Sequence, residues 1–264
     1  ILSPDLAAML RYARKINRLS AGAFDPTLLP VKRLWAEAVK KNQIPGQAQI
    51  YGALAHSGFD KVQVAARGRT DVVFTDPLVQ LDLGGIAKGY AVERVLELIR
   101  QLGGKAALVQ LGGEIAVSGS RGGEAWNIGV QHPLDENKVW GVIEHDGDLR
   151  VSTSGSYRQS MEIAGEKYSH IFDPRTGWPV PQNLAGVTLV WTGSGGSNAE
   201  LDAAATAVMV LGEKKGLELA KRLGFEALLI GERSGRLEEY KSENMAAVFR
   251  RVQSDSTGAG KKTP

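Results

Sequence analysis

Gly112-Gly113-Glu114-Ile115-Ala116-Val117-Ser118, Trp126-Asn127-Ile128-Gly129-Val130, Trp140-Gly141-Val142-Ile143-Glu144 and Leu149-Arg150-Val151-Ser152-Thr153 follow one another within residues 112–153. Four short apolar runs separated by turn signals such as Asp146-Gly147 read as antiparallel strands. Outward from this block the period changes. Residues 106–111 read as a buried strand. Before them Gly84-Gly85 opens a helix with apolar face Tyr90, Ala91, Val95, Leu98, Ile99 and Leu102, ended by Gly103-Gly104. Farther upstream, strands are expected on both sides of Thr75-Asp76-Pro77, and Ser3-Pro4-Asp5 caps an amphipathic helix reaching about Asn17. Downstream come a strand over 185–191, a helix over 199–211 capped by Ser194-Gly195-Gly196-Ser197-Asn198 and stopped by Gly212, a second helix over 213–223, and strands near 227–231 and 245–252. The fold class is α+β, mixed helices with largely antiparallel sheets. No Pro/Ser linker divides residues 1–252, which are expected to form a single domain, and residues 253–264 read as a flexible tail.

With 264 residues, 43% of them hydrophobic, the chain can bury a large core. Its 32 basic and 29 acidic residues leave a net charge of +3, spread along the sequence. The basic pairs Lys40-Lys41, Lys214-Lys215 and Arg250-Arg251 lie far apart, so no nucleic-acid partner is expected. Zero cysteines exclude disulfides, thiolate metal sites and cysteine nucleophiles, and leave the compartment open. The apolar stretches are too short and interrupted to span a bilayer, and the run from Ile1 straight into a helical pattern suggests that an upstream region is missing.

Chemistry must therefore come from oxygen and nitrogen. Asp202 and Thr206 stand at i and i+4 on the helix 199–211, so both oxygens project from one face after a glycine-rich loop. Magnesium favours such hard oxygens, with phosphate and water completing its shell. The same spacing also suits an Asp placed at a helix N-terminus with a Thr bonded back to its carbonyl. Leu81-Asp82-Leu83-Gly84-Gly85-Ile86-Ala87-Lys88-Gly89-Tyr90 reads as strand, glycine turn and helix start, able to offer N–H groups, a dipole end and the Lys88 charge to a phosphate, or simply to make a tight turn. Ser152-Thr153-Ser154-Gly155-Ser156-Tyr157 offers hydroxyls at a strand end. His170, one of four histidines, is a candidate general base within Tyr168-Ser169-His170-Ile171-Phe172-Asp173-Pro174-Arg175-Thr176-Gly177, or a structural side chain. Ser20-Ala21-Gly22-Ala23-Phe24-Asp25-Pro26-Thr27, with Trp35, could present an aromatic to a ring system or form a packed turn.

In order, the segments 20–27, 82–90, 112–114, 153–157, 168–177 and 202–206 closely resemble the ApbE family of FAD:protein FMN transferases, once called thiamine-biosynthesis lipoproteins. The resemblance covers residues 3 to about 252. It implies a T-fold-like catalytic domain and a magnesium-dependent transfer of FMN from FAD to a Ser or Thr hydroxyl of a target flavoprotein, leaving a phosphoester and AMP. It places metal ligands at the Asp202 carboxylate, the Thr206 hydroxyl and the Ala87 carbonyl. It makes His170 the base that deprotonates the acceptor and sets Gly85, Lys88, Thr153, Ser154, Gly155 and His170 around the nucleotide, with Asp82 bracing the turn.

The resemblance further implies acceptors such as an NQR- or RNF-type redox subunit, and a periplasmic enzyme anchored at the inner membrane through an N-terminal signal upstream of Ile1. Family members usually carry an upstream strand and helix that contribute to the flavin pocket. Glu114 and Glu93 stand where the family often has Asp. Two other activities remain open at this level: an FAD pyrophosphatase yielding FMN and AMP, and a flavin-binding protein without turnover.

Overall fold

The computed structural model describes residues 2–66, 69–155, 160–193 and 196–252. Five helices are described: α1 (Pro4–Leu19), α2 (Leu29–Lys41), α3 (Gln47–Ala55), α4 (Ala87–Gln101) and α5 (Asn198–Leu223). Thirteen strands accompany them: β1 (Val62–Val64), β2 (Val72–Phe74), β3 (Ala107–Leu111), β4 (Glu114–Ser118), β5 (Trp126–His132), β6 (Asp135–His145), β7 (Leu149–Gly155), β8 (Ser160–Ile163), β9 (Glu166–Ser169), β10 (Leu184–Thr192), β11 (Glu226–Arg233), β12 (Arg236–Lys241) and β13 (Phe249–Arg251). The main sheet has six strands in the order β12-β11-β10-β7-β4-β3, every neighbouring pair antiparallel. A three-stranded sheet, β13-β6-β5, and the pairs β1–β2 and β8–β9 complete the β structure. The α+β expectation holds.

The main sheet is covered on both sides. On one side α1 and α5 bury Leu10, Ile16, Leu201 and Val208 together with Val187 and Leu189 of β10. On the other, Ile128 and Ile143 of the three-stranded sheet meet Val117, Val151, Val190 and Leu228. That explains why β10 reads as a continuous apolar run, as a strand buried on both faces does. A smaller core forms around Trp35, which is fully buried among Tyr168, Phe172 and Trp178 and donates from Nε1 to the Gly177 carbonyl at 2.9 Å. Of the two readings open for Trp35, the packed one holds, because its polar atom is already satisfied inside.

Helix α1 starts where its cap predicts, with the Leu6 N–H donating to Ser3 Oγ at 3.2 Å. Gly212 interrupts α5 with φ +75°, separating the two expected helices. Four expectations fail. Residues 78–81 form no strand; β2 pairs with β1 instead. Strand β3 is the edge of the sheet and half open to solvent rather than buried. Only Phe249–Arg251 of the region 245–252 is strand, since Met245–Ala247 form a 3₁₀ turn. On α4 the buried residues are Gly89, Val92, Glu93 and Leu96, while Val95, Leu98 and Leu102 are exposed. A glycine and a buried ion pair set that face, and apolar periodicity cannot register either. The tail 253–264 and residues 156, 157, 194 and 195 lie outside the described residues.

Candidate functional site

The turn 81–90 and the first part of α5 meet at Gly89. A Cβ there would lie 2.2 Å from the Asn198 carbonyl oxygen and 2.9 Å from Asp202 Cβ, so only glycine lets α4 and α5 approach this closely. The contact brings Asp202, 1% exposed, against the start of α4, where it accepts from the Gly89 N–H at 3.0 Å and holds Lys88 Nζ 3.2 Å from each carboxylate oxygen. Glu114, at the start of β4 and also 1% exposed, lies 3.8 Å from the same Nζ, and its Oε2 has no hydrogen-bond partner. Two buried carboxylates thus share one lysine. Burial pushes the Glu114 pKa up to about 8, with the Asp202 charge adding to the effect and Lys88 opposing it. Burial also raises Asp202, against Lys88 and the Gly89 N–H.

The turn spends most of its N–H groups internally. Gly84 donates to Asp82 Oδ1 at 2.8 Å, and Ile86 and Ala87 both donate to the Leu83 carbonyl, at 3.0 and 2.9 Å. What it presents to an anion is therefore chiefly the Lys88 charge and the dipole of α4. Asp82 braces the turn as expected and also pairs with Lys32 of α2.

These groups border a cavity of about 530 Å³. Gly85, Lys88, Thr153, Ser154, Gly155, His170, Asp202 and Thr206 all line it, so residues from four separate sequence segments converge on one space. Ala87 stands between two lining residues as the first residue of α4 and is not itself in the lining. Thr206 Oγ1 sits 3.4 Å from the Asp202 carbonyl, the local back-bond that its spacing allows. A Cβ at Gly85 would fall 3.2 Å from Thr206 Oγ1 and 3.2 Å from the Phe24 ring, so the glycine keeps open the space beside the hydroxyl. Thr153 is held in β7, its Oγ1 3.1 Å from Thr188 Oγ1. His170 follows β9 directly, half-buried at the cavity wall.

Leu28 and Lys32 line the cavity although no sequence motif pointed to them, and Phe24 and Asp25 of the 20–27 loop line it beside them. Asp25 accepts from the Thr27 N–H at 2.8 Å and from the Phe59 N–H at 3.1 Å, which shapes the loop that presents Phe24; burial raises its pKa. Glu114 shows in sequence as an acid after a glycine pair at a strand start, at a position where the family often has Asp, and the sheet places it within reach of Lys88.

A divalent cation fits this donor set. The excess of buried carboxylate over ammonium, the orphaned Glu114 Oε2 and the space kept beside Thr206 all favour added positive charge. Among the described residues no three His, Asp or Glu side chains converge as a preformed metal site, so an ion would complete its shell from main chain, substrate and water.

Comparison with known proteins gives one consistent neighbourhood. The ApbE family model matches residues 1–229. The FAD:protein FMN transferase of Salmonella typhimurium is 33% identical over 234 residues, covering 87% of this chain and 65% of that protein. The Escherichia coli FAD:protein FMN transferase is 32% identical over 246 residues, covering 91% and 69%. The chain therefore spans about two thirds of the length of the curated relatives it matches. Among solved structures, the ApbE protein of Thermotoga maritima superposes with a TM-score of 0.81 at 28% identity, covering 95% of this chain and 79% of that one. The flavin transferase ApbE of Vibrio cholerae does so with 0.78 at 28% identity, covering 94% and 77%.

Proposed function

The chain belongs to the ApbE family, and on that premise we propose that it transfers the FMN half of FAD to a Ser or Thr hydroxyl of a target flavoprotein, with AMP as the other product. The observation that carries the reading is the cavity lined by Asp202, His170 and Lys88, the lysine being shared by the buried carboxylates of Asp202 and Glu114. Its volume of about 530 Å³ suits part of a dinucleotide rather than a small metabolite.

In this reading Lys88 meets the pyrophosphate from the start of α4 and offsets part of its charge. Gly85 lets a phosphate oxygen come close to Thr206, and Ser154 and Gly155 at the end of β7 line the nucleotide. His170 accepts the proton of the acceptor hydroxyl as that oxygen forms its bond to the FMN phosphorus; the bond from phosphorus to the bridging oxygen breaks and the pair leaves with AMP. A magnesium ion, held by Asp202, Thr206 and the Ala87 carbonyl, would neutralise charge developing on the phosphates. The acceptor class proposed is an NQR- or RNF-type redox subunit, and the compartment the periplasm; both rest on family resemblance.

The test is incubation with FAD, magnesium and a flavoprotein domain carrying an Asp-x-x-(Ser/Thr)-x-Ala-(Ser/Thr) acceptor, followed by in-gel flavin fluorescence. A fluorescent acceptor band with stoichiometric AMP is the expected result. Free FMN and AMP with an unlabelled acceptor would replace the reading with a pyrophosphatase, and bound, intact FAD would replace it with a flavin carrier.

A further inference from the structure

A second cavity, about 610 Å³, lies outside the site just described, between the turn at Ser20–Ala23, Arg175 and the second half of α5. Four cations line it, Arg175, Lys215, Lys221 and Arg222, against one acid, Glu218. Arg175 is tied to Asp173 at 2.6 and 2.8 Å, and Lys221 stands 3.9 Å from Glu243. Lys215 has no acidic partner among the described residues, and Arg222 donates only to the Leu19 carbonyl, at 2.8 Å. A surplus of positive charge is thus left facing the space.

Two features connect this cavity to the first. Ala23 lines both. Arg175 sits on the turn that follows His170, whose Thr176 and Gly177 N–H groups both donate to the Asp173 carbonyl, so the wall holding His170 continues into the basic cavity. The cations are also open to solvent, Lys221 at 78% and Arg175 at 56% of the side chain. A site for a small anion would enclose its anchoring charges; exposed cations around a broad depression suit the wet, polar rim of a protein contact, where charge steers encounter and sets orientation.

We propose that this basic cavity docks an acidic segment of the acceptor protein and so brings the acceptor hydroxyl to His170. The proposal rests on the transferase reading. The test measures the affinity of a fluorophore-labelled acceptor domain directly, so that it needs no turnover, for the wild type, Lys215→Glu/Lys221→Glu, and a control of equal charge change, Lys40→Glu/Lys41→Glu at the end of α2. Reversing two rim charges should weaken acceptor binding about 10-fold at low salt. FAD affinity and the control should stay unchanged, and wild-type affinity should fall as salt is added. Equal acceptor affinity in the wild type and the Lys215/Lys221 variant would overturn the proposal, as would an equal loss in the control or a loss of FAD affinity, which would assign the cavity to the nucleotide. A wild type that binds the acceptor with this charge dependence but never labels it keeps the docking surface and sinks the transferase reading.

Discussion

At Glu93, helix α4 buries an acid against Arg150, and the guanidinium makes four hydrogen bonds, two to Glu93 at 2.7 and 2.9 Å and two to the Val117 and Leu149 carbonyls. Five residues earlier the same helix sets Lys88 against two buried carboxylates, Asp202 and Glu114, one of which keeps an unpartnered oxygen. Both clusters lie between α4, α5 and the main sheet. One is balanced in charge and closed, with the Asn198 N–H reaching Glu93 at 3.4 Å to tie in the start of α5. The other sets two acids against one lysine, so burial holds Glu114 largely protonated near neutral pH, and it opens onto a cavity. The difference separates scaffold from chemistry: a buried pair that satisfies itself fixes how the two helices meet, whereas a buried pair left short of positive charge is shaped for something that arrives.

That contrast breaks most visibly at Asp202. Asp202→Ala should reduce magnesium-dependent transfer by about 10³-fold, because the charges it organises develop in a water-poor site, while FAD-independent folding measured by circular dichroism is kept. Full activity would remove Asp202 from the chemistry. His170→Ala should slow transfer about 10²-fold with FAD affinity little changed, the mark of a proton acceptor; equal losses in rate and FAD binding would make it structural. Glu93→Ala should behave in the opposite sense. Leaving Arg150 buried and unpaired costs about 3–5 kcal/mol in denaturant unfolding, and activity should fall only in proportion to the folded fraction.

The smallest effect concerns pH. Glu114 has a folded pKa of about 8, above the ordinary 4.5, so its contribution to stability is present below pH 4.5 and is lost as pH rises through about 8. Glu114→Gln, which cannot ionise, should flatten the melting temperature between those limits in metal-free buffer. An unchanged slope would show that another group carries it.

Much of this contrast was legible before the fold was known. The shared helix face of Asp202 and Thr206 and the glycine turn before Lys88 were local patterns with bland readings of their own, and only their order among the other motifs pointed to a site. The balanced cluster was invisible: Glu93 and Arg150 are 57 residues apart, and a charged residue on a helix face ordinarily means solvent. The apolar stripe of α4 misled for the same reason, because Gly89 and Glu93 supply the buried face while Leu98 and Leu102 point outward. Strand β12 escaped notice because Arg236–Lys241 is mostly charged, as an exposed edge strand is. Helices α2 and α3 bury their faces in the small core around Trp35, and α2 has no side-chain cap to mark its start.

Calorimetric titration of magnesium into the protein, with and without FAD, tests the cluster around Asp202 most directly. If Asp202, Thr206 and the Ala87 carbonyl hold the ion as proposed, their shell would be incomplete, so magnesium should bind weakly alone and at least about tenfold more tightly once FAD supplies phosphate oxygens, a gain that Asp202→Ala removes. Magnesium affinity that is the same with and without FAD, or that survives in Asp202→Ala, would contradict the account.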